Sequence, residues 1–222
     1  MEMQLETLDT AIRICAVLPD IMMLRQPGIE LALWLRRIPP GIEAELAQLP
    51  AESLPDGRVL VGLADLNAAL DSLFLDRVTT AAVRPWLIAD IAALVDQFVD
   101  LTGTTEVDVR LERITGDGCW KFHRDCVEAR LLTTYRGPGT EWVFPADAPN
   151  ALRDQRAYRG PIHRFPRQAV GVFKGSCAGP GSGIVHRSPP LAGQGETRLL
   201  LCLNLPSSAS PERWTRSVLQ SG

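Results

Sequence analysis

The sequence predicts an α+β fold in which N-terminal helices pack on a C-terminal jelly-roll barrel. Three observations predict it. Apolar residues recur at helical spacing through much of the first hundred positions. At about Thr105 the apolar period falls to two, the spacing of a half-buried strand. Beyond that point short strand candidates alternate with Gly- and Pro-rich turns, the pattern of a sandwich or jelly roll. A chain of 222 residues, 45% hydrophobic and 22% charged, can bury a full core.

The helices come first. Residues 29–37 read as a short amphipathic piece stopped by Pro39 and Pro40, and residues 42–49 and 66–75 read as two more. The clearest helix spans 85–101. There Leu87, Ile91, Leu94, Phe98 and Leu101 lie on one face, and Gly103 stands where a left-handed cap would end it. The strands follow. Val107, Val109, Leu111 and Ile114 mark the first, and Gly116-Asp117-Gly118 the turn after it. Further strands are expected at 120–126, 129–135, 168–174, 183–186 and 197–205. The chain divides into a helical region 1–104 packed on the barrel as one unit, a barrel 105–210 and a tail 211–222. The irregular stretch 137–166 is long for a compact domain, and such loops are usually functional or disordered.

Composition excludes several function classes. A net charge of −3, with no long run of one sign, weighs against a nucleic-acid binder. The five cysteines are odd in number and form no CxxC pair, so a disulfide framework or all-cysteine zinc site is not expected. The N-terminus is acidic with no apolar segment behind it, and no stretch of 18 apolar residues occurs. A cytoplasmic protein with reduced thiols and no membrane contact is expected.

Chemistry concentrates in the second half. Only three histidines occur: His123, His163 and His186. His123 and Asp125 are two apart on an expected strand, so their side chains share a face. His186 ends a later strand behind a glycine-rich turn. Two imidazoles and one carboxylate on one side of an ion form the facial triad of non-haem Fe(II) oxygenases, with positions open for exchangeable ligands. Arg198 follows twelve residues after His186. If it points inward, a buried guanidinium needs an anion, and a carboxylate is its natural bidentate partner. An acid-bearing small molecule beside the metal is therefore expected.

The motifs His123-Arg124-Asp125, Gly183-Ile184-Val185-His186 and Glu196-Thr197-Arg198 resemble those of the Fe(II)/2-oxoglutarate-dependent dioxygenase superfamily. The stretch from Asp125 to Tyr135 resembles the corresponding strand of prolyl-hydroxylase-like members. This resemblance, over roughly residues 105 to 206, implies a double-stranded β-helix (jelly-roll, cupin-like) core. It implies that His123, Asp125 and His186 hold Fe(II). It implies also that Arg198 grips the distal carboxylate of 2-oxoglutarate, with Tyr135 or Thr133 as a second hydrogen-bonding group. The segments from Lys121 to Asp125, Arg130 to Leu132, Thr134 to Trp142 and His186 to Pro190 also resemble the bacterial domain-of-unknown-function family eighteen-twenty-six. That resemblance spans nearly the whole chain, including Trp34, Arg36 and Arg37, and carries no activity with it.

Around this centre, Trp142, Arg153 and His163 are candidates for a substrate rim, with Phe144 and Tyr158 as further aromatic residues. Arg153, Arg156, Arg159, Arg164 and Arg167 make a basic stretch that either recruits an anion or is a solvated face. The cysteines beside the ligands, Cys119 and Cys126, are read as buried, inert thiols, with Cys126 pointing away from Asp125. Two other functions compete with the oxygenase. One is a cupin-like metalloenzyme that does not use 2-oxoglutarate. The other is a non-catalytic zinc protein of metal homeostasis, although zinc normally takes four ligands. A small molecule or a peptide is the expected substrate class.

Overall fold

A strand buried on both faces reads as a continuous apolar run, and the chain contains several. In the computed structural model, which describes residues 10–74 and 81–216, these runs build the centre of a seven-stranded sheet. The strands in chain order are β1 (Ile12–Cys15), β2 (Leu31–Trp34), β3 (Gly57–Gly62), β4 (Glu106–Ile114), β5 (Ala129–Arg136), β6 (Glu141–Trp142), β7 (His163–Arg164), β8 (Val170–Lys174), β9 (His186–Arg187) and β10 (Arg198–Asn204). The α-helices are α1 (Pro40–Gln48), α2 (Leu66–Ser72), α3 (Val83–Thr102) and α4 (Ala148–Asp154).

The large sheet runs β1-β2-β8-β5-β10-β4-β3, and a small one runs β7-β6-β9. Only β1 and β2 pair in parallel within the large sheet; the other pairs are antiparallel. Successive side chains on a strand face opposite ways, so the large sheet feeds two cores. Val107, Val109, Leu111, Leu131, Leu199, Leu201 and Leu203 pack with the helices. Leu132, Phe173, Leu200 and Cys202 pack instead with Trp142, Phe165 and Ile184 beneath the small sheet. The result is a helix layer, a seven-stranded sheet and a small covering sheet.

Helix α3 forms as its apolar spacing predicts. Leu87, Ile91, Leu94, Phe98 and Leu101 are all buried against the sheet. Gly103 ends the helix at φ 72°, a left-handed conformation that costs glycine little, and its N–H reaches Val99 O at 2.7 Å. The expected helices at 42–49 and 66–75 appear as α1 and α2. The end of the second, from Leu75, lies outside the described residues, as do residues 1–9 and the tail from 217 onward.

Three expectations change. Within residues 29–37 the regular element is strand β2 (Leu31–Trp34) and not a helix. Ala32 packs in the helix-side core while Leu31 and Leu33 pack in the other. A run buried alternately on two sides fits a central strand, and four residues are too few for a helix. The first hundred residues thus supply β1 and β2 at one edge of the sheet and β3 at the other, as well as helices. Among the described residues the two sheets do not join into a closed barrel. Lastly, residues 120–126 are not a strand; only His123 makes a bridge there, to His186.

Candidate metal centre

The loop holding His123 and Asp125 is irregular, yet it is tied down on every side. The Gln155 side chain acts as a substitute strand partner for Phe122, accepting from its N–H at 2.9 Å and donating to its carbonyl at 3.0 Å. Arg124 Nε donates to Gly183 O at 3.0 Å. Asp125 O accepts from Ser176 N at 2.8 Å. His123 and His186 exchange both backbone N–H···O bonds, each 3.0 Å long. Residues paired directly opposite in this way point their side chains to the same face. Their rings lie 4.5 Å apart between centroids.

This convergence brings one ligand atom each from His123, Asp125 and His186 within 4.8 Å of one another. His123 Nε2 lies 3.5 Å from Asp125 Oδ1, and His186 Nε2 lies 3.3 Å from Asp125 Oδ2. The opposite ring nitrogens are occupied. His123 Nδ1 is 2.8 Å from Lys121 O, and His186 Nδ1 is 3.1 Å from Ile184 O. A carbonyl can only accept, so both Nδ1 atoms carry hydrogen and both Nε2 atoms are left for a ligand role. In the neutral rings, two lone pairs then face a carboxylate, an arrangement that calls for a cation between them. Asp125 Oδ2 is buried without a hydrogen bond of acceptable geometry, as expected of an atom reserved for an ion. Asp125 Oδ1 is steadied by Arg130 Nη1 at 2.6 Å. The donor set fits a divalent transition metal bound on one side only.

Electrostatics follow the same lines. Burial alone would raise the Asp125 pKa. The adjacent His123 and His186 rings, when protonated, and the nearby charge of Arg130 outweigh it and hold the carboxyl well below its usual range. The bond to Asp125 raises His123 above its ordinary value, against an opposing effect of burial.

Arg198 shares a cavity of about 420 Å³ with His123 and His186. It is 1% exposed, and burial lowers its pKa to about 10, so it remains charged at neutral pH. Its contacts are all hydroxyls: Thr134 Oγ1 at 3.1 Å, Ser188 Oγ at 2.9 Å and Thr140 Oγ1 at 2.5 Å. No carboxylate among the described residues forms a salt bridge with it, Glu196 included.

Tyr135 and Thr133 do not join it. On β5, Ala129, Leu131 and Tyr135 face the helices, while Leu132 faces the other core. Tyr135 Oη donates to Asp90 Oδ2 at 2.7 Å on α3, where Arg36 also binds that carboxylate. Thr133 Oγ1 donates to Gln168 O at 3.2 Å. Thr134, one residue on, takes the place beside Arg198. The polar spacing of Arg130 and Thr134 on a strand whose other face carries Leu131 and Tyr135 was the signal for it. Thr140 and Ser188 carried no such signal, since both lie beyond turns.

The rim candidates also lie elsewhere. Trp142 is buried opposite His186 on one side and His163 on the other, with Phe144 packed at 5.1 Å. His163 stacks on Trp142 and Phe144 instead of approaching the triad. Arg153 is exposed on α4 and pairs with Asp154. None of the three lines the cavity; its outer wall is built by β3 and β4 residues such as Arg58, Arg110 and Glu112.

A family model described as Protein of unknown function (DUF1826) matches residues 17–204. The chain belongs to this family. The match takes in β2, the whole metal loop and β10, so the triad and Arg198 lie within the family's domain. No curated protein matches the chain. Among solved structures, a prolyl-4-hydroxylase of Pseudomonas putida is 12% identical, covering 85% of this chain and 97% of its own, at a TM-score of 0.43. The Kdo hydroxylase KdoO, a non-haem Fe(II) α-ketoglutarate-dependent dioxygenase crystallised with cobalt(II), is 9% identical, covering 88% and 89%, at 0.48. Neurospora crassa T7H is 14% identical, covering 86% and 87%, at 0.39. These likenesses are distant, and none of the three lends its activity to this DUF1826 protein.

Proposed function

We propose that this DUF1826 protein is an Fe(II)- and 2-oxoglutarate-dependent oxygenase, with His123, Asp125 and His186 as metal ligands and Arg198 as the anchor for the 2-oxo acid. The observation that carries this proposal is a buried guanidinium with only hydroxyl partners in the same cavity as an open His-Asp-His group. A charge taken out of water without an ionic partner is costly. A dicarboxylic acid reaching from the ion to Arg198 supplies that partner at one end and metal ligands at the other.

When bound, the iron would let dioxygen oxidise the 2-oxo acid to succinate and CO2, with one oxygen atom going to succinate and the other to a substrate C–H bond. The chain supplies position and environment. Arg130 holds Asp125 Oδ1, so the carboxylate cannot swing away from the histidines. The Lys121 and Ile184 carbonyls fix both imidazole tautomers. Thr140 and Ser188 accept from Arg198, which leaves their O–H groups free to donate to a bound carboxylate. Leu132, Leu200 and Cys202 form an apolar cavity wall that excludes water from the bound acid.

Succinate release from 2-oxoglutarate by protein reconstituted with Fe(II) under controlled oxygen tests this function. An Fe(II)-dependent rate, abolished in Asp125→Ala, is expected. Two imidazoles and a carboxylate also suit zinc. Protein isolated with one tightly held zinc, and no Fe(II)-dependent succinate across a broad substrate panel, would assign the site to non-catalytic metal binding.

A further inference from the structure

The loop bearing Asp125 carries a second chemical feature on its outer side. Cys126 follows Asp125 directly, and Cys177 lies in the turn that clamps this loop. Ser176 N donates to Asp125 O at 2.8 Å, and Cys177 N donates to Val127 O at 3.1 Å. The carbonyls on either side of Cys126 therefore hold the residues around Cys177. Gly175 makes the approach this close: a Cβ there would stand 2.2 Å from Val127 O and 2.7 Å from Asp125 O. Both thiols are exposed, Cys126 against the burial expected of it from the sequence, and the Cys177 thiol is pushed up, by desolvation first and by the neighbouring Cys126 second. Ser176 Oγ lies 3.7 Å from Cys126 Sγ.

A disulfide needs neighbouring Cα atoms, and the backbone bonds on both sides of Cys126 bring its segment against that of Cys177. We propose that Cys126 and Cys177 form a reversible intramolecular disulfide, a modification site that locks the Asp125 loop to the Gly175–Ala178 turn. The oxidant is hydrogen peroxide. One thiol attacks it, the O–O bond breaks, and a sulfenic acid and one water form. The second thiol then displaces the sulfenic oxygen as a second water, and the S–S bond closes. Two thiols lose two electrons in all, and the peroxide gains them. A thiol reductant reverses the step. The bond adds a covalent tie to a ligand loop that is otherwise held by hydrogen bonds.

Two readouts on the full-length protein test this. In the first, metal-free protein is treated with one equivalent of hydrogen peroxide, the remaining thiols are alkylated, and tryptic peptides are mapped. Residues 125–130 and 175–187 are expected in one linked species that a reductant separates. Cys126→Ser and Cys177→Ser should each abolish it. Free Cys126 and Cys177 after treatment, with oxidation falling on exposed Cys119 or giving linked dimers, would overturn the proposal. The second readout rests on the metal assignment above. Co(II)-loaded protein should lose its metal to a chelator several-fold more slowly when oxidised than when reduced. A linked peptide with unchanged release would refute the locking of the loop while leaving the metal assignment intact.

Discussion

Replacing Arg198 with Met removes a buried cation whose partners are three hydroxyls. Exchanging a buried charge for an apolar side chain of similar length is often neutral or stabilising. The melting temperature of the ligand-free Arg198→Met protein is therefore expected to match or exceed wild type. Affinity for 2-oxoglutarate should fall by about 2–5 kcal/mol, at least thirty-fold in Kd, because a charge-assisted bidentate pair is lost. Calorimetric titration beside a melting curve checks both halves, and loss of stability with binding retained would remove Arg198 from its role. His123 gives a second expectation at this scale. Its raised pKa in the metal-free protein means that its bond to Asp125 stabilises the fold fully below the ordinary histidine value and is lost as pH rises through the raised one. A metal competes with that proton, so metal affinity should climb with pH across the same window. Co(II) titrations at a series of pH values read this directly, and flat affinity through that range would mean that His123 is not a ligand.

Strand β5 decides which neighbours a ligand meets. Its side chains alternate, with Tyr135 against α3 and Thr134 beside Arg198. Tyr135→Phe should cost about 1 kcal/mol of stability, since it removes one hydrogen bond to the half-buried Asp90 and leaves Arg36 as the donor to that oxygen. Metal and 2-oxoglutarate binding should stay as in wild type. Thr134→Val should do the opposite, weakening 2-oxoglutarate binding at near-constant stability. Denaturant unfolding and ligand titration of both variants check the assignment, and an exchange of the two phenotypes would mean that the strand sits in the opposite register. Much of this element was legible in the sequence, because period-two alternation and the His-x-Asp and Gly-x-x-His spacings depend only on neighbouring residues. What escaped was set by tertiary context. Alternation separates Thr134 from Tyr135, but which of the two faces of β5 meets the cavity is set by what packs on each side of the sheet. Thr140 and Ser188 reach Arg198 through turns whose course no local pattern dictates. Residues 29–37 look helical because apolar and polar positions mix there. Burial from two sides makes Leu31–Trp34 a strand.

In the whole molecule, β3 and β4 leave one part of the large sheet uncovered by the small sheet, and the cavity opens there beside the triad. Among the described residues no helix is long and apolar enough to cross a membrane. The metal loop packs through Phe122 on Val143, Ala151 and Val185, and His186 packs on Phe173 of the large sheet, so a ligand that binds only the folded chain raises its stability. A ligand present at a hundred times its Kd adds about 2.7 kcal/mol. For a chain of this size that corresponds to a rise in Tm of roughly 5–10 °C. Metal alone should produce such a rise, and 2-oxoglutarate should add a second one only when metal is present. Additive shifts from each ligand by itself would separate the two sites. The most direct measurement is the Fe(II) stoichiometry under anaerobic conditions of wild type and of His123→Ala, Asp125→Ala and His186→Ala, each shown to be folded. One iron per chain in wild type, and none retained by any variant after desalting, is the predicted result. Iron held equally by all four proteins would contradict a centre built from these three side chains.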